Sequence, residues 1–140
     1  MIPNDRYHTY AQVDLSTSVA TATPLRLIQI LYEGALKSIR AARAHMKQQN
    51  ISGKAEAIAK TIAIIEELNA CLNHEVGGDI STNLEALYGY MTKRLVEGNL
   101  KNDTAPIEEV EKLLSGLREA WVELANLPED ALKPQTGAPR

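Results

Sequence analysis

Four stretches of this chain repeat apolar residues every three or four positions, and polar or proline- and glycine-bearing segments separate them. At about 100° per residue, that spacing gathers the apolar side chains on one face of a helix. The first stretch opens at Thr23–Pro24, an N-cap followed by a proline whose fixed φ suits the first helical turn, and predicts a helix over 24–47. QQNISG interrupts it, with Ser52 as the next cap candidate, and the second helix is expected over 53–76, up to the stop signal Gly77–Gly78. Asp79 or Ser81 can cap a third helix over 81–100. Asp103 or Thr104 can cap a fourth over 105–126, with Pro106 in its first turn and Leu127–Pro128 beyond its end. Strand-like alternation and solenoid-length repeats are absent from the sequence. Short connections make neighbouring helices antiparallel, so the expected fold class is all-α, an antiparallel up-down four-helix bundle over 23–126. Residues 1–22 read as a loosely structured or short-helical cap segment, and 127–140, with three prolines, as a disordered tail.

Each helix has a core stripe. The stripes comprise Ile28, Leu31, Ala35, Ile39, Ala42 and Met46 in the first helix and Ile58, Ile62, Ile65, Leu68, Leu72 and Val76 in the second. The third contributes Leu84, Leu87, Tyr88, Met91 and Leu95, and the fourth Ile107, Val110, Leu113, Leu114, Leu117, Trp121 and Leu124. Apolar residues are left over. Leu27, Ile30, Gly34 and Ala41 form a second face on the first helix, and Ala57, Ile64 and Cys71 a flank on the second. A surface helix needs an apolar arc only somewhat wider than 100°. The surplus therefore needs a cover: the N-terminal segment with Tyr7, Tyr10, Val13 and Leu15, a second subunit in a client-free homodimer, or a partner chain.

Composition narrows the function. With 140 residues, 44% of them hydrophobic, the chain suits one globular domain with a full core. A net charge of −3 argues against nucleic acid as a general partner. No apolar run is long enough to span a bilayer, no signal peptide is legible, and the lone Cys71 cannot form an internal disulfide, so the cytoplasm is the expected compartment. His8, His45 and His74 are scattered, and the grouping of Cys71, His74 and Glu75 is unlike a zinc motif. The glycines build neither a phosphate loop nor a dinucleotide fingerprint, so neither metal nor cofactor is expected, and no catalytic residue stands out. The enzyme-like alternative is a histidine phosphotransfer bundle. Ala44-His45-Met46-Lys47 is faintly similar to its phosphorylated segment, but His45 falls at a helix end and Gln48–Gln49 follow it. Charge also separates: the first helix carries five basic residues against Glu33, and the fourth carries five acidic residues against Lys112 and Arg118. Complementary packing and solvated faces account for that most simply.

Three motifs are more specific. The run Thr23-Pro24-Leu25-Arg26-Leu27-Ile28-Gln29-Ile30-Leu31-Tyr32-Glu33-Gly34-Ala35-Leu36, the stretch Asn83-Leu84-Glu85-Ala86-Leu87-Tyr88-Gly89-Tyr90-Met91 and the closing Leu117-Arg118-Glu119-Ala120-Trp121 stand in this order. Together with Tyr7 and Tyr10 they resemble the flagellar secretion chaperone family FliS over about residues 5 to 125. The resemblance implies a cytoplasmic, non-enzymatic bundle with an N-terminal cap. Such a protein binds the disordered C-terminal segment of flagellin, blocks premature filament polymerisation and passes its client to the flagellar type III export gate. His74-Glu75-Val76-Gly77-Gly78 and the proline-rich tail lie outside the family pattern. The residues expected to contact the client are Tyr7, Tyr10, Leu27, Ile30, Ile64, Cys71 and Tyr90, with Tyr7 and Tyr10 either a displaceable lid or direct contacts.

Overall fold

The computed structural model describes residues 23–127, which form four long helices and one short one: α1 (Pro24–Lys47), α2 (Ile51–Ala70), α3 (His74–Gly77), α4 (Asp79–Lys101) and α5 (Thr104–Ala125). Local chemistry explains the boundaries. The Thr23 hydroxyl accepts from the Arg26 amide at the start of α1, and the Asp103 carboxylate accepts from the Ala105 amide at the start of α5. Asn50, rather than Ser52, caps α2 by accepting from the Gly53 amide. Asn73 accepts from the amides of Glu75 and Val76 and so begins α3 as a separate turn. The second helix thus stops at Ala70, earlier than the Gly77–Gly78 signal suggests, and Val76 leaves the core to stand 73% exposed. Gly78 holds φ +52°, a backbone conformation that a side chain would strain, and carries the chain directly into α4.

The four long helices close a ring. α1 packs on α2 and α5, and α4 packs on the same two neighbours, with consecutive helices antiparallel. Tyr32 on α1 and Tyr88 on α4 reach across the centre, their hydroxyls 2.5 Å apart. Leu31, Ile39, Ile58, Ile65, Leu68, Met91, Leu95, Ile107, Val110 and Leu114 fill the space around them. Ser38 and Thr61 place a second hydroxyl pair, 2.6 Å apart, in the α1–α2 seam; one of the two hydroxyls donates across the pair while the other donates to a carbonyl of its own helix, Ala35 for Ser38 or Ala57 for Thr61. Lys54, only 4% exposed, donates from Nζ to the Asn99 carbonyl and the Asn102 side chain. The cation sits at the negative end of α4's dipole, which offsets part of the cost of burying it. Gly98 lets α5 start close by: a Cβ there would meet Ile107 Cδ1 at 2.9 Å.

The surplus faces are where the structure departs from expectation. α1 and α2 form the most extensive helix pair in the bundle. Ile64 is fully buried within the main core, and Ile30 is fully buried beside it. Neither lies on an accessible groove. The physical reason is that α1 is flanked by α2 on one side and α5 on the other, so its buried arc is far wider than one stripe. Trp121, expected in the core, is only partly buried and packs against the core's edge. Ile64→Asp should consequently unfold the chain rather than spare it. Ile64→Ala should lower the unfolding free energy by about 2–5 kcal/mol in urea denaturation, the range for truncating a buried aliphatic side chain.

Candidate functional site

An open apolar pocket of about 230 Å³ occupies one end of the bundle. Ile28 enters it from α1, Leu68 from α2, Cys71 and Leu72 from the turn that follows, Ile80 and Leu84 from α4, and Trp121 from α5. Tyr88 contributes to the lining. The α2–α4 connection forms one rim, and there Val76 and Ile80 stand 73% and 70% exposed. The Ser81 hydroxyl donates to the Asn73 carbonyl and ties that rim to α4. Thr23, where the described chain begins, and Leu127, where it ends, lie at the termini of α1 and α5 on this same end.

Among the described residues, no Asp, Glu, His, Lys or Arg lines the pocket. Burial pushes the Tyr32 phenol above its ordinary range, partly offset by hydrogen bonds with Tyr88 and Trp121. Tyr88 is pushed up as well, by burial first and then by Tyr32. Both rings therefore stay neutral at physiological pH and act as packing groups with satisfied hydroxyls.

A second apolar cleft, about 430 Å³ and more open, runs between α4 and α5 along Leu87, Leu113, Gly116 and Leu117, with Glu109 and Lys112 at its edge. Tyr90 stands 42% exposed on the same side. Its hydroxyl donates to Glu109 Oε2 at 2.7 Å, and Arg94 Nε donates to Glu109 Oε1 at 2.6 Å. The Tyr90 hydrogen bond, then Arg94, holds the Glu109 carboxyl below its ordinary range. Further along α4, Val96 and Leu100 are exposed, and Ile51 is exposed at the start of α2, the end that Lys54 fastens to α4.

The expected contact residues are thus dispersed. Cys71 lines the end pocket. Tyr90 lies beside the α4–α5 cleft. Leu27 is partly buried against the core, and Ile30 and Ile64 are interior. Tyr7 and Tyr10 lie outside the described residues. The wheels missed Val76, Ile80, Val96 and Leu100. The available signals were Asn73, which caps a new turn and detaches Val76 from the stripe of α2, and Gly77–Gly78, which restart the helical phase just before Ile80. His45 is half-buried in the last turn of α1, with Nδ1 3.3 Å from the Asn50 side-chain nitrogen. Among the described residues no group of three or more potential metal ligands forms, and no helix is long and apolar enough to cross a membrane.

Fold and surface together define an all-helical bundle that leaves apolar surface exposed at one end and along α4. Comparison with known proteins makes this more particular: the family profile for flagellar protein FliS matches residues 6–128. The chain is 45% identical over 117 residues to the flagellar secretion chaperone FliS of Salmonella typhimurium, covering 83% of this chain and 87% of that one. It is 41% identical over 115 residues to the FliS of Bacillus subtilis, 82% of each chain, and 37% identical to that of Escherichia coli over 81% and 85%. The chain belongs to the FliS family of flagellar secretion chaperones, which are not enzymes.

The Tyr90–Glu109 bond gives a direct check on this surface. Glu109's carboxyl is held below 4.5 by its partners. Its ionised form therefore favours the folded arrangement above that pH, and the contribution fades as pH falls through the lowered value. Tyr90→Phe should move the NMR titration midpoint of Glu109 upward, towards 4.5, without unfolding the bundle.

Proposed function

We propose that this protein is a cytoplasmic export chaperone that holds the C-terminal segment of flagellin, prevents its premature polymerisation and delivers it to the flagellar type III export gate. The observation that carries the reading is the apolar end pocket with Val76 and Ile80 standing bare on its rim. A disordered client loses conformational entropy when it orders, so it needs extended apolar contact to compensate. The end pocket takes one large apolar anchor, and the α4–α5 cleft beside Tyr90 takes others at i, i+3 and i+4 of an amphipathic client helix. Tyr90 adds an aromatic body whose hydroxyl is already satisfied. The core of the bundle needs no rearrangement for this, because every proposed anchor site opens to solvent.

The N-terminal segment precedes α1, whose start lies at the pocket end, and we propose that Tyr7 and Tyr10 act as a displaceable lid in the client-free chain. Deleting residues 1–17 should then strengthen binding of a flagellin C-terminal peptide in calorimetry, since the competing covered state is lost. A large loss of affinity with the fold intact would make the tyrosines direct client contacts.

Val76→Asp and Ile80→Asp separate docking from folding. Both side chains are largely exposed, so the melting temperature should hardly move. Affinity for the same peptide should fall by about 1.4 kcal/mol or more, a factor of ten. Full affinity in both variants would place the client elsewhere on the bundle.

A further inference from the structure

The exposed strip of α1 carries charge that the fold does not consume. α1 has five basic residues, Arg26, Lys37, Arg40, Arg43 and Lys47, against Glu33 alone, in a chain of net charge −3. Packing of α2 and α5 against both flanks confines these side chains to one solvent-facing ridge. The acidic helix α5 neutralises only part of it. Of α5's five glutamates, Glu111 alone pairs with α1, accepting from Arg40 Nε at 3.0 Å and Arg43 Nη1 at 2.5 Å. Glu109 is turned to Arg94 on α4. Glu33 is already shared by Arg26 and Arg118. Among the described residues, Lys37 and Lys47 make no ion pair.

The surplus is also crowded. Burial and the nearby Lys37 ammonium together hold Lys60 of α2 below the usual lysine range, against the opposing pull of Glu56. Open concavities border the ridge on both sides. One, about 570 Å³, lies between Arg40, Arg43, Lys47 and the start of α5, with Glu108 at its rim. The other, about 350 Å³, holds Lys37, His45, Glu56 and Lys60.

We propose that this ridge is a second docking face, which takes an acidic helix of a partner protein. Lys37 and Lys47, with the Glu111-bound Arg40 between them, are spread along about 15 Å of helix at 1.5 Å per residue. They therefore match a row of carboxylates on one helical face rather than a single small anion. The exposed strip bears no Phe, Tyr or Trp side chain on which a base could stack, and the net negative chain disfavours a nucleic acid. α1 and α4 stand diagonally in the ring, so the ridge faces away from α4 and both faces can be occupied at once.

Fluorescence anisotropy of the full chain tests this with three labelled probes. One is a helical alanine-based peptide with glutamates on one face, the second a scrambled peptide of equal composition, and the third a single-stranded oligonucleotide of equal charge. The helical peptide should bind about tenfold more tightly than the scramble, with an affinity that falls as salt rises. The double variant Lys37→Glu/Lys47→Glu should cut that binding about tenfold or more while leaving flagellin-peptide binding intact. Lys37→Gln/Lys47→Gln gives the same reading should charge reversal disturb folding. Equal binding of the two peptides, unchanged affinity in the variants, or tighter binding of the oligonucleotide would overturn the proposal.

Discussion

A helix packed on two sides has little surface to spare, and α1 is packed on two sides. α2 covers one flank and α5 the other, and the rest of the molecule follows from that constraint. Every large aliphatic side chain of α1 from Ile30 to Ile39 is interior. What remains for solvent is a narrow charged strip. α4, diagonal to α1, buries a smaller share of its length: Ile80, Tyr90, Val96 and Leu100 are exposed along it, while Tyr88, Met91 and Leu95 close the core. The bundle is thereby polarised, with charge on α1 and bare apolar surface on and around α4.

The polar contacts inside keep the two halves in register. Tyr32 with Tyr88 joins α1 to α4, Ser38 with Thr61 joins α1 to α2, and Lys54 fastens the start of α2 to the end of α4. Buried hydroxyls and an ammonium are costly unless bonded, and these are bonded. They penalise a sliding of one helix along another more than an all-aliphatic seam would. A pocket floored by Tyr88 and Trp121 can therefore stay open at the end of the bundle without the helices closing over it.

The four long helices were legible because their caps and breakers agree with their periodicity, as at Thr23–Pro24 and Asp103 with Pro106. The family was legible from three ordered motifs, of which Leu31-Tyr32 and Leu87-Tyr88 also supply the central tyrosine pair. The docking surface was less so. A helical wheel reports how wide an apolar arc is, not how many neighbours it meets, so Ile30 and Ile64 read as spare when both are fully buried, Ile64 within the main core. Val76 read as core because the wheel was carried through Leu72 and Asn73, where Asn73 caps a new turn instead. Cys71 and Tyr90 remain on accessible surfaces, one in the pocket and one beside the cleft.

We propose that the client docks on the α4 side and the pocket end, and not on a spare face of α1. Hydrogen–deuterium exchange of the full chain, with and without the flagellin C-terminal segment, tests it most directly. Added protection is expected in the 71–84 connection and along α4 and α5, with the amides of 37–47 unchanged. Protection concentrated on 37–47, with 71–84 unaltered, would contradict it.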